Sequence, residues 1–247
     1  MQQLNDLYSR APEKKYKGIV TQSHYLTMRD GTQIAVDILL PLDLEPGIRL
    51  PVVLTMTRYW RSFELRVPEP QNQVPIAPRE SLTNDLVMRG FAMIIVYARG
   101  SGASTGVSRH PWTPEEIADY GQVADWAVAQ PWCSGHVGAV GISYEGTTAL
   151  LLTTSSRQAA KGVVPQQFEF DVYTDIALPG GIFDAAFIDA WSMGSCLRYT
   201  GSARSSRKTF SKLKGAEKWN RIRARDKTPV RPRITRGQGW LSGPPSA

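Results

Sequence analysis

A serine in the stretch Gly141–Gly146 is the residue of this chain with the clearest potential for chemistry. The stretch reads Gly-Ile-Ser-Tyr-Glu-Gly, follows a short apolar run over 137–140, and precedes a helix-compatible segment over 147–155. Strand, sharp turn and helix in this order are the layout of a nucleophile elbow, whose serine attacks an acyl carbonyl. Flanking glycines allow the strained turn, and the N-terminal end of the helix favours an oxyanion. The second glycine lies one position later than in the generic G-x-S-x-G motif, with Glu145 in its usual place, so an ordinary strand-to-helix turn remains an alternative.

The elements needed to position this serine are predicted on both sides of it. A run over 16–28 and a run over 32–40 flank Asp30-Gly31, which is a hairpin signal. Continuous apolar runs over 51–56 and 91–96 are typical of central strands that are covered on both faces. Turn signals predict a loop over 68–78, and Gly90 ends a predicted helix over 80–89. A second helix is predicted over 114–129, capped by Thr113 with Glu116 at the capping-box position. Two further strands are predicted over 135–142 and 162–165.

Alternation of strands and helices predicts a mainly parallel sheet with right-handed crossovers. In such sheets a ligand binds beyond the carboxyl ends of the strands. Ser143 follows one predicted strand, the residues 57–60 follow a second, and the residues 97–100 follow a third. We therefore expect these three loops to converge on one crevice.

The composition restricts the other function classes. No apolar run approaches the roughly 20 residues that a membrane span requires, and the N-terminus has no signal-peptide pattern. We therefore expect a cytoplasmic protein without a membrane partner. Cys133 and Cys196 form no disulfide framework, and His24, His110 and His136 are scattered without ligand spacing, so we expect neither a metal nor another cofactor.

The charge is distributed very unevenly along the chain. Residues 1–197 carry a net charge of −5, whereas residues 198–247 carry +12. The basic segment has no apolar periodicity and is rich in Pro, Gly and Arg, which predicts a disordered tail over 201–247. Such a tail would bind polyanions without sequence preference, but no pattern indicates specific nucleic-acid recognition.

Several separated motifs resemble the CocE/NonD serine hydrolases, a group of the α/β-hydrolase superfamily that includes X-Pro dipeptidyl-peptidases. Besides the elbow, which is similar to the group's G-x-S-Y-x-G, they are Met28-Arg29-Asp30-Gly31-Thr32, Thr55-Met56-Thr57-Arg58-Tyr59, the loop over 99–106, the approach Gln130-Pro131-Trp132 to the elbow strand, and Leu178-Pro179-Gly180-Gly181. The resemblance covers roughly residues 15–200. It implies an α/β-hydrolase domain over 15–200, with a helical cap beginning about residue 168.

The resemblance also implies roles for three residues. Ser143 would be the nucleophile, and the backbone N–H of Tyr144 and the hydroxyl of Tyr59 would stabilise the oxyanion. The implied reaction is cleavage of an ester or amide bond through an acyl-serine intermediate, with a small ester, an amide or a short peptide as substrate. From its loop position alone, the favoured interpretation of Tyr59 is an ordinary aromatic residue at the rim.

The chain departs from this pattern in its acid and its base. In this superfamily both follow the serine in the order Ser, Asp, His, but no histidine follows His136 here. The aspartates after Ser143 lie in the segment that resembles the cap, and Tyr97 occupies a position where the group usually has an acid. We therefore predict the front part of such an enzyme, truncated, frameshifted or fused near residues 198–200. The alternative function is that of a catalytically inactive product with an exposed sheet edge.

Overall fold

The computed structural model describes residues 12–59, 78–156 and 159–200. The predicted loop over 68–78 and the predicted basic tail over 201–247 lie outside these ranges, apart from residue 78, which begins a helix. Within these residues there is no helix with the length and apolar character of a membrane span.

Six strands form a single sheet. They are β1 (Ile19–Thr27), β2 (Gln33–Pro41), β3 (Leu50–Thr57), β4 (Ala92–Tyr97), β5 (Cys133–Ile142) and β6 (Ala160–Gln166). The spatial order is β1-β2-β4-β3-β5-β6, in which β1–β2 and β2–β4 are antiparallel and the other neighbours are parallel. The predicted hairpin and the predicted mainly parallel sheet are therefore confirmed.

The two faces of this sheet are covered by the helices α1 (Pro78–Met88), α2 (Pro114–Val128) and α3 (Tyr144–Ser155). A further helix, α4 (Ala185–Thr200), follows one π-helical and one 3-10 turn at Tyr173–Ala177 and Pro179–Gly181. The start of α2 agrees with its sequence, because the Thr113 side chain accepts a hydrogen bond from the Glu116 N–H at 3.2 Å.

Strand β4 shows why its sequence is a continuous apolar run. Ala92, Ile94 and Val96 pack into the larger core cluster, while Met93 and Ile95 pack into a second cluster on the opposite face. Helices α2 and α3 contribute to the larger cluster, and α1 contributes to the smaller one. Because both faces of β4 are covered, alternation between apolar and polar residues is absent.

An ion-pair network, buried at Arg99 and Asp119, ties the end of β4 to α2 and to the β1–β2 hairpin. Arg99, two residues after β4, donates two hydrogen bonds of 2.7 Å each to the carboxylate of Asp119 on α2. It donates a third, of 2.9 Å, to Asp30 in the hairpin turn. The Arg99 and Asp119 side chains are only 9% and 2% exposed, so water screens this pair little. The pair therefore fixes the loop after β4 against α2.

Candidate active site

Ser143 lies at the apex of the turn between β5 and α3. Its backbone has φ 59° and ψ −126°, a conformation that few residues with a side chain adopt. The Ser143 N–H donates to the Gln166 carbonyl at 2.9 Å, and its own carbonyl accepts from the Thr147 N–H at 3.0 Å. The backbone is thus held by β6 on one side and by α3 on the other, while the side chain is exposed.

The two glycines of the motif are required by close backbone contacts. A Cβ atom on Gly141 would lie 2.2 Å from the Glu145 carbonyl oxygen, and one on Gly146 would lie 2.4 Å from the Gln166 carbonyl oxygen. Both distances are far below a van der Waals contact. The late position of the second glycine follows from this geometry, because residue 146 faces β6 whereas position 145 accommodates a side chain.

Tyr144 is the first residue of α3, and its backbone N–H belongs to the first helical turn, whose amides have no carbonyl partner within the helix. The positive end of the helix dipole therefore lies beside the Ser143 side chain. An anion that forms next to Ser143 would be stabilised by these N–H groups.

The Tyr144 side chain points away from solvent into a buried polar cluster. Its hydroxyl donates to Glu116 Oε1, and the Tyr120 hydroxyl donates to the same oxygen. Burial raises the pKa of the Glu116 carboxyl, and the two phenols act in the opposite direction. Burial also raises the pKa of Tyr120 and of Tyr144 well above the ordinary value, so both phenols remain donors.

Tyr59 follows β3 by two residues and lies next to Tyr144. The two rings meet edge to face with centroids 5.8 Å apart, and the Tyr59 N–H donates to Thr57 Oγ1 at 3.0 Å. The neighbouring guanidinium of Arg58 lies over the Tyr144 ring at 5.3 Å from its centroid. The loops after β3 and β5 therefore converge as predicted, and the Ala98 N–H, which donates to the Thr57 carbonyl at 2.8 Å, brings in the loop after β4.

Strained backbone is concentrated around this turn. Three non-glycine residues of the described part of the chain have positive φ: Trp112, Ser143 and Gln167. Trp112 stacks on the Tyr144 ring with centroids 4.8 Å apart, and Gln167 directly follows the residue that accepts the Ser143 N–H. Such strain persists only where the surrounding structure enforces it, and it is frequent at functional sites.

Each of the three histidines makes a hydrogen bond with a residue other than Ser143. His136 lies in β5 seven residues before Ser143, which corresponds to roughly 20 Å along the strand. His110 Nδ1 lies 3.0 Å from the Pro111 carbonyl, and His24 Nε2 lies 3.5 Å from Gln22 Oε1 in β1. Within the residues that the structure describes, no histidine is hydrogen bonded to Ser143.

Two of the aspartates after Ser143 stabilise local turns through their carboxylates. Asp175 accepts from the N–H groups of Phe170 and Asp171, and Asp184 accepts from the Phe187 N–H at the start of α4. No group of three or more His, Cys, Asp or Glu side chains with metal-binding geometry occurs in the described ranges.

Three side chains at the site were not among the sequence predictions for it: Glu116, Trp112 and Trp191. Glu116 was assigned only to the cap of α2. No sequence motif marks Trp112 or Trp191 as part of the site, because their contacts are with residues far away in the chain. Trp112 stacks on Tyr144, and Trp191 donates a hydrogen bond to Tyr59.

The strand order and the strained serine turn define an α/β-hydrolase domain. The X-Pro dipeptidyl-peptidase family (S15) matches residues 30–238, and the chain belongs to this family. Its members are hydrolases. The match extends beyond residue 200, where the sequence motifs end.

Individual relatives agree with this assignment. A protein of Mycobacterium bovis named as a candidate serine esterase is 43% identical over 189 residues, which cover 74% of this chain. The cocaine esterase of a Rhodococcus species is 30% identical over 176 residues, which cover 70% of this chain. The chain spans 30% and 28% of the lengths of these two proteins.

Solved structures show the same fold. A CocE/NonD family hydrolase from Staphylococcus aureus superposes with a TM-score of 0.63 at 26% identity, covering 74% of this chain and 34% of that one. An α-amino acid ester hydrolase superposes with a TM-score of 0.50 at 26% identity, covering 67% of this chain and 28% of that one. The predicted fold class and family are confirmed.

Proposed function

We propose that this chain carries the nucleophile and the oxyanion hole of a serine hydrolase that cleaves ester or amide bonds. The observation that carries the proposal is the strained backbone of Ser143, which presents the hydroxyl at the N-terminal end of α3. The substrates of the relatives, as their names give them, are esters and X-Pro peptides, so small esters, amides and short peptides are the substrate class that we assign.

In the proposed reaction Ser143 Oγ attacks the substrate carbonyl carbon and loses its proton to a base. The carbonyl oxygen becomes an oxyanion, which accepts hydrogen bonds from the Tyr144 N–H and from the Tyr59 hydroxyl. The phenolic O–H of Tyr59 is a hydrogen-bond donor. Collapse of the tetrahedral intermediate expels the alcohol or amine and leaves an acyl-Ser143 ester, which water then hydrolyses.

The positions of the three histidines favour a second candidate, a hydrolase scaffold without turnover. All three precede Ser143 in the sequence, which is not the order of the superfamily. Without the triad base, only the residual catalysis of binding and the oxyanion hole would remain.

A chromogenic ester distinguishes the two candidates. With p-nitrophenyl acetate and Ser143→Ala as control, turnover that depends on Ser143 supports the hydrolase. A stoichiometric burst with an acetyl group on Ser143, detected by mass spectrometry, supports a nucleophile without deacylation. A folded chain that gives neither product above the control would identify the inactive scaffold.

A further inference from the structure

The hydroxyl of Tyr59 receives a hydrogen bond from the cap side of the site. Trp191 lies on α4, and its Nε1 is 3.0 Å from the Tyr59 hydroxyl oxygen. An indole nitrogen carries a hydrogen and cannot accept one. The Tyr59 oxygen is therefore the acceptor in this pair, and the phenolic hydrogen cannot point towards Trp191.

Aromatic contacts hold Trp191 in this place. Its ring stacks with Phe187, one turn earlier on α4, with centroids 6.1 Å apart and planes at 28°. On another side it stacks with Trp112, with centroids 6.5 Å apart and planes at 29°. Aromatic pairs of this geometry stabilise the packing beyond the area that they bury.

The contacts close into a ring of four residues, which we call the aromatic circuit: Tyr59, Tyr144, Trp112 and Trp191. Tyr59 meets Tyr144 edge to face, Tyr144 stacks on Trp112, Trp112 stacks on Trp191, and Trp191 donates back to Tyr59. Each member comes from a different segment of the fold. Because the circuit is closed, the position of each ring depends on the other three.

We propose that Trp191 is a positioning residue that directs the Tyr59 hydroxyl hydrogen to the oxyanion beside Ser143. The inference rests on the proposed function, in which Tyr59 is a donor to that oxyanion. An oxyanion-hole donor is effective because it is aimed before the charge develops. The indole N–H occupies a lone pair of the Tyr59 oxygen on the side that faces α4. The phenolic hydrogen therefore cannot point at α4 and is left to point elsewhere. Docking of α4 is thereby coupled to the reactivity of Ser143.

The test is a double-mutant cycle on the rate at which a fluorophosphonate labels Ser143 in the full chain. We expect Tyr59→Phe to slow labelling about 100- to 1000-fold. Trp191→Phe keeps an aromatic ring but removes the N–H, and we expect it to slow labelling about two- to tenfold. In the Tyr59→Phe background, Trp191→Phe should have no further effect, because its target is gone. Trp132→Phe removes an indole N–H at the opposite end of β5 and should leave the rate unchanged.

A spectroscopic readout detects the hydrogen bond without any reaction. The Trp191 indole signal in an ¹⁵N–¹H spectrum is identified by its loss in Trp191→Phe. In Tyr59→Phe it should move, and its hydrogen should exchange faster with solvent.

The outcomes separate this inference from the proposed function. Failure of Ser143 to label in the unsubstituted, folded chain would contradict the proposed function. Two outcomes would contradict the role of Trp191 and leave the proposed function intact. In the first, Tyr59→Phe slows labelling but Trp191→Phe does not. In the second, Trp191→Phe slows labelling by the same factor whether residue 59 is Tyr or Phe. An indole signal that Tyr59→Phe leaves unchanged would also overturn it.

Discussion

Replacement of Asp119 by Asn tests how far the buried ion pair supports the site. The Asp119 carboxylate accepts both 2.7 Å hydrogen bonds from Arg99, and neither side chain is more than 9% exposed. Removing one partner of such a pair costs about 3–5 kcal/mol, because the other charge stays buried. Asn keeps one acceptor oxygen and Asp30 keeps its contact with Arg99, so we expect a loss at the lower end, about 3 kcal/mol. That is a large fraction of an ordinary domain stability of about 5–15 kcal/mol.

The assay is urea unfolding, followed by tryptophan fluorescence and by far-ultraviolet circular dichroism. Asp30→Asn is the matched control, because it removes the other carboxylate from the same guanidinium, at 2.9 Å, but from a side chain that is 49% exposed. Solvent screens that pair, so the control should lose much less stability than Asp119→Asn. Equal losses in the two variants, or a larger loss in the control, would refute the argument from burial.

Three further predictions concern the elbow and the hairpin. Gly146→Ala would place a Cβ atom 2.4 Å from the Gln166 carbonyl oxygen, so we expect a lower melting temperature and slower labelling of Ser143. In the control Gly162→Ala the new Cβ atom meets no atom within 4 Å, so the melting temperature and the labelling rate should stay unchanged. Similar melting temperatures in the two variants would count against the clash. The hydrogen bond from the Thr32 N–H lowers the pKa of the Asp30 carboxyl to about 2. The ionised carboxylate therefore stabilises the fold above about pH 4, and this stabilisation is lost as the pH falls through about 2. In Asp30→Asn the free energy of unfolding should not show this fall between about pH 4 and about pH 2. Tyr144→Phe removes a hydrogen bond to a buried carboxylate and should cost about 1.5–3 kcal/mol in urea unfolding while the serine still labels; loss of labelling in a folded variant would show that the phenol has a direct role.

The elements around the elbow were predictable because their signals are local. Apolar period, the two glycines and the Thr113 cap all lie within a few residues of the structure that they specify. The predicted strand over 135–142 and helix over 114–129 agree with β5 and α2 to within two residues. The convergence of three loops was also predictable, because it follows from the parallel sheet alone.

The supporting side chains of the site were not predictable, because their contacts join distant parts of the chain. Glu116 and Tyr144 are 28 residues apart, and Tyr59 and Trp191 are 132 residues apart. A carboxylate three residues after a helix cap has the same sequence pattern whether it caps the helix or accepts from two buried phenols. Helix α4 was expected only as an unspecified part of a cap, because the apolar residues in its sequence show no clear helical period.

Whether Ser143 is a nucleophile is tested by covalent labelling of the purified chain with a fluorophosphonate, with the adduct located by mass spectrometry. We predict one adduct, on Ser143, which disappears in Ser143→Ala while circular dichroism shows that the variant is still folded. A folded chain that is not labelled, or an adduct of equal yield in Ser143→Ala, would contradict the assignment of Ser143 as the nucleophile.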